Sequence, residues 1–168
     1  MEVAEPASSG SGSPRIEPIS DPAGIGDPNV RRFLTLWLEA HRNGRPPGKE
    51  FLDPLQLRFL LGSICLLEVQ KQPLRFRYRL VGTDIVRRLD MEMTGKWLDE
   101  HPDKALRPFL VDGAAMVYRN ASPGYCRAST RTLGRDWLLE LVAVPLLGAD
   151  GSIGYIGTGQ TFPPDKSA

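Results

Sequence analysis

"RFRYRLVGTDIVRRLDMEMTGKWLDE", Arg75 to Glu100, is the stretch from which the fold is read. In its first six residues Phe76, Tyr78 and Leu80 fall on one face of an extended strand. Arg75, Arg77 and Arg79 fall on the other, because successive side chains point to opposite sides. A strand with one apolar and one charged face belongs to a sheet buried on one side and wet on the other, as antiparallel sheets often are. Gly82 ends the strand, and Thr83 or Asp84 offers an oxygen to cap a short helix, "DIVRRLD". Thr94-Gly95 marks a turn, and "KWLDE" reads as one more helical turn.

Upstream, "SICLLEV" reads as a buried strand from Ile64 to Val69. The four residues "QKQP" join it to the Arg75 strand as a hairpin. Asp53-Pro54 combines a capping side chain with a first-turn proline and predicts a short helix over Pro54 to Leu61. Asp27-Pro28 is the same device. It opens a helix in which Val30, Phe33, Leu34, Trp37 and His41 share one face, while Arg31, Arg32 and Glu39 mostly face away. Asn43-Gly44 and "RPPG" end that helix. Its stripe must lie on its own core or on another subunit. In the second case Val30, Phe33, Leu34 and Trp37 are the dimer-interface candidates.

Downstream, His101-Pro102-Asp103 precedes a longer helix, Ala105 to Arg119, with Leu106, Phe109, Leu110, Gly113, Ala114 and Val117 as its stripe. Three strands follow: "GYCRASTRTL", "DWLLELVAVPLL" and "SIGYIGTGQTF". Leu133 to Asp136 and Gly148 to Gly151 read as the hairpin turns between them. Two strands, short helices, a longer helix and three strands predict an α+β domain, an antiparallel sheet with helices packed on one face.

The chain has 168 residues, which suits one domain of roughly 100–150 residues. Residues 1–26 are rich in Ser, Gly, Pro and Ala and poor in large apolar side chains. They predict a disordered arm, because so little burial does not offset the entropy of ordering. The parts are therefore the arm, the amphipathic helix at 27–45, the domain at 46–162 and a flexible tail at 163–168. Lys and Arg total 21 against 20 Asp and Glu, a net charge of +1, which gives no global attraction to nucleic acid or membrane. Cys65 and Cys126 share no metal or redox spacing and read as buried thiols. No apolar run reaches about 18 residues, and the N-terminus lacks a basic segment followed by an apolar one. A cytoplasmic protein is expected.

The order of elements is that of a PAS domain, and the sequence resembles members found in short, stand-alone bacterial chains. "FLDPLQLRFLLGSICLLEV", "YRLVGTDIV" with "MTGKWLDE", and "DWLLELVAVPLL" with "GSIGYIGTGQ" carry the resemblance, over about Phe51 to Phe162. It implies a five-stranded antiparallel sheet cupped by helices, a sensory or regulatory role, a small ligand or a protein partner, and no catalysis. Alternation and resemblance together give Phe76, Tyr78, Leu80, Phe109, Met116, Leu139, Leu141 and Tyr155 as pocket candidates for a small, largely apolar ligand.

Competing chemistries are weighed against the same residues. Haem-binding relatives hold iron with a histidine of the long helix, whereas His41 sits on the leading helix and His101 stands before the long one. A flavin-thiol photosensor needs a cysteine in a helix, and both cysteines sit in predicted strands. Haem and flavin are therefore set aside. "RASTR", Arg127 to Arg131, has the spacing of the cyclic-dinucleotide motif of PilZ domains, where paired arginines grip phosphate. "DGSIG", Asp150 to Gly154, is one residue short of that family's second element, and the helices fit PAS rather than PilZ. "GYIGTG" precedes no helix, so it is no dinucleotide loop. No nucleophile, base and orienting group assemble, and no enzyme is expected. The alternative to a ligand sensor is an interaction module alone, with a homodimer as the first partner.

Overall fold

The computed structural model describes residues 15–132 and 135–162. The first 14 residues of the expected arm, the Leu133-Gly134 turn and the 163–168 tail lie outside the described residues. In chain order the elements are β1 (Glu17–Pro18), α1 (Pro28–Ala40), β2 (Ile64–Lys71), β3 (Leu74–Val81), α2 (Thr83–Leu89), α3 (Arg107–Asn120), β4 (Gly124–Thr132), β5 (Arg135–Leu147) and β6 (Ile153–Thr161). Short 3₁₀ turns, among them Arg58–Ser63 and Leu98–Glu100, link them. The fold is α+β, as expected. The sheet has six strands rather than five, in the order β1-β4-β5-β6-β2-β3, with antiparallel pairing throughout.

The sixth strand comes from the region read as an arm. Glu17 pairs with Tyr125 and Pro18 with Gly124, Ile16 is 8% exposed, and Ile25 is 1% exposed. Isolated isoleucines among Pro and Gly carry no period, so only tertiary seats make this segment ordered.

Strands β2, β4, β5 and β6 divide their side chains between two cores. On the inner face Leu67, Tyr78, Leu139, Leu141 and Ile156 meet α2, α3 and the Leu98–Glu100 turn. On the outer face Ile64, Val142, Val144 and Leu146 meet α1. Helices therefore cover both faces, not one. Asp27 caps α1 by accepting the Asn29 and Val30 amides, with Pro28 at its first position. The stripe Val30, Phe33, Leu34 and Trp37 is buried to within 2% of completely. The Trp37 indole N–H donates to Pro145 O at 3.0 Å. At roughly 1.5–3 kcal/mol per buried side chain, these four bind α1 to its own sheet. They correct the dimer-interface expectation for Val30, Phe33, Leu34 and Trp37, because an intramolecular apolar face already takes them.

Three local differences have identifiable causes. Lys71 and Leu74 are paired, so the hairpin loop is the two residues Gln72-Pro73. The Asp53-Pro54 cap leads into turns and a 3₁₀ segment at Arg58–Ser63 rather than an α-helix. Gly82, not Thr83 or Asp84, occupies the N-cap of α2. A side chain at Gly82 would collide with the Gly62 carbonyl, which fixes how closely this helix start meets the chain before β2.

Candidate functional site

β3 is an edge strand, and its alternation breaks within it. Leu66 pairs with Leu80 and Leu67 with Tyr78, leaving Arg79 as an extra residue opposite none. Such a bulge moves the following residues to the other face. Phe76 and Tyr78 point inward as expected. Leu80 points outward and is 47% exposed, while Val81 turns in to pack on the inner core. The arginines of the outer face are occupied within the molecule. Arg75 makes two 2.8 Å hydrogen bonds to Asp99 and lies 4.1 Å over the Trp97 ring. Arg77 and Arg79 both reach Glu68, at 3.1 Å each.

The inner face and its helices enclose a cavity of about 60 Å³. On that measure one water needs about 10–15 Å³, so the space suits a small ligand. Tyr78, Leu139 and Leu141 line it, with Leu67, Ala143 and Ile156 beside them on the sheet. Leu98, Leu110 and Ala114 close it from the helical side. Phe76 and Phe109 belong to the same core but not to the cavity wall, and Met116 packs at the core's border beside Gly124. Tyr155 corrects the pocket expectation with Leu80. Ile156 pairs with Leu67 across β2 and faces inward, so Tyr155 faces outward, where Lys49 lies 5.7 Å over its ring.

The polar part of the wall carries no local signature in the sequence. Thr158 and Gln160, two apart on β6, both line the cavity and are 7% and 8% exposed. Opposite Thr158 is Cys65, whose thiol is a weak hydrogen-bond partner. No stronger partner meets the Thr158 hydroxyl among the described residues. Arg88 of α2 reaches the wall with its guanidinium 3.7 Å over the Phe162 ring, and burial lowers its pKa to about 10.

His101, expected at a helix border, is buried and also lines the cavity. Its Nδ1 accepts the Asp103 amide at 3.1 Å, and Arg107 donates twice to its carbonyl. Burial holds the imidazole below its usual pKa. The Cys65 thiol is pushed up to about 12 by burial, and so is that of Cys126. Both therefore stay protonated and unreactive.

The two elements of the cyclic-dinucleotide pattern do not converge. Arg127 pairs with Glu140, whereas the Asp150 turn follows Leu147 at the other end of β5. The turn is internally bonded, with Asp150 accepting from the Ser152 amide and hydroxyl. The glycines of "GYIGTG" are packing residues. A Cβ on Gly159 would sit 2.8 Å from the Phe33 ring and Leu60.

A buried carboxylate organises the outer side. Glu140 of β5 is 3% exposed among apolar neighbours. It accepts the Gly26 and Asp27 amides and the Tyr125 hydroxyl, tying the start of α1 to the sheet.

A family model described as PAS domain matches residues 26–158. No curated protein sequence matches the chain. Among solved structures, the PAS domain of BvgS from Bordetella pertussis is similar at 15% identity and a TM-score of 0.42, over 68% of this chain and 89% of that one. An RNA-binding light-oxygen-voltage receptor is similar at 14% identity and a TM-score of 0.44, over 71% of this chain and 36% of that one. The chain thus spans little more than a third of the receptor's length.

Proposed function

The chain belongs to the PAS domain family, whose members are sensory and interaction modules of signalling proteins, and we propose that it is a non-catalytic cytoplasmic sensor whose cup binds a small, largely apolar ligand. The observation that carries this reading is the cavity itself. It lies between the inner sheet face and three covering elements, with an apolar wall and the Thr158 hydroxyl lacking a strong partner. Small-molecule sites combine these two traits, an apolar enclosure and a few polar groups that fix orientation. A ligand that offers Thr158 a hydrogen bond gives it a stronger partner than the Cys65 thiol. A ligand that prefers one arrangement of α2 and α3 over the sheet shifts the population toward that arrangement. A protein partner then reads the altered surface.

Native mass spectrometry of the purified chain, beside its absorption spectrum, tests the reading. The expected result is added mass of a small molecule that is retained natively and lost on denaturation. A bare mass at every ligand concentration tried, with no visible band, would contradict it and favour an interaction module without ligand.

A further inference from the structure

Ile16 reaches the cavity wall from the N-terminal segment, and its seat is cut by two glycines. A Cβ on Gly113 of α3 or on Gly124 of β4 would collide with its side chain. The backbone around it is lightly held. β1 pairs at two positions, one of them Pro18, which has no N–H, and the Ile19 amide donates to Pro123 O at 3.1 Å. The chain then rounds the β4 edge. Ile16 belongs to the inner core, whereas Ile19 and Ile25 pack on the outer one. Glu140 receives the Gly26 and Asp27 amides where α1 begins. One short segment therefore joins the cavity wall to the helix on the opposite face.

We propose that residues 16–19 are a strap coupled to cavity occupancy. This rests on the ligand reading above and adds how that ligand is retained and reported. A molecule in the cavity packs against Ile16 and holds the strap on β4. An empty cavity leaves Ile16 without contacts on that side and favours release. Because coupling is reciprocal, a docked strap strengthens binding by the factor with which the ligand strengthens docking. Release opens the wall between α3 and β4 and frees the segment that leads into α1, so the outer face registers what the inner face holds.

Hydrogen exchange of the full chain, with benzyl alcohol as a small apolar probe bearing one hydroxyl, tests the coupling. Gly113→Ala evicts Ile16 while improving the helix propensity of α3, so the fold is retained. The expected results are exchange of the Glu17 and Ile19 amides at least ~10-fold faster in Gly113→Ala, with β5 and β6 protection unchanged. Benzyl alcohol should slow that exchange in the wild type and bind the variant on the order of tenfold more weakly, as the loss of one aliphatic wall implies. Ile16→Ala should release the strap in the same way. Equal strap exchange in the wild type and Gly113→Ala would overturn the proposal. So would a probe that shifts cavity residues but leaves strap exchange and affinity the same in both proteins, an outcome that keeps the ligand reading intact. If the probe shifts no cavity residue, the ligand reading falls and the strap proposal with it.

Discussion

Single residues decide where the faces of this sheet point. Arg79 adds one position to β3, and that addition moves Leu80 out of the cup. Nothing in "RFRYRL" announces it, since the alternation is unbroken in the letters and broken only by pairing with β2. His101 is comparable. A histidine before a helix is legible as a border residue, but its burial against the cavity comes from the way Arg107 and Asp103 fold back on it. Its imidazole is kept neutral by burial, below its ordinary pKa of 6.5. The unfolded chain takes up a proton there below about pH 6.5 and the folded chain does not, so stability is present above that pH and is lost as pH falls toward the folded-state pKa. Urea titrations between pH 7.5 and 5 should therefore show a falling midpoint that is shallower in His101→Asn, whose amide oxygen keeps the Asp103 bond. Identical pH profiles for the two proteins would show that His101 is not the group responsible.

Among the elements, those with local signatures were legible and those held by tertiary seats were not. Asp27-Pro28 and the Val30, Phe33, Leu34 and Trp37 stripe define α1 in the sequence. The stripe says that a face is buried, not against what. The outer face of β5 and β6 supplies the answer through Val142, Val144 and Leu146. β1 had no signature at all, because what seats it is Ile16, just before the strand, fitted between two glycines. The same logic explains Gly159 of β6, which admits Phe33 of α1 at close range. Gly159→Ala places a methyl carbon against Phe33 and Leu60. It should destabilise the domain by about 1–3 kcal/mol, as overpacking does, read as a lower urea midpoint at unchanged slope. A midpoint equal to or above that of the parent would contradict the close packing of α1 on β6.

Across the whole molecule, one sheet separates two hydrophobic cores. The outer core, under α1, buries Val30, Phe33, Leu34, Trp37, Val142, Val144 and Leu146 almost completely. The inner core, under α2 and α3, keeps a cavity with a polar edge at Thr158, Gln160 and His101. The family and the cup were readable from the order of elements. Of the pocket candidates, Tyr78, Leu139 and Leu141 line the cavity, while its polar edge depends on β6 register and loop closure that no local pattern encodes. Methyl NMR on the full chain during titration with benzyl alcohol reads both cores in one spectrum. Saturable shifts are expected at the Leu67, Leu139, Leu141 and Ile156 methyls, with those of Val142, Val144 and Leu146 left in place. Shifts on the outer set, or none on the inner set, would contradict this arrangement.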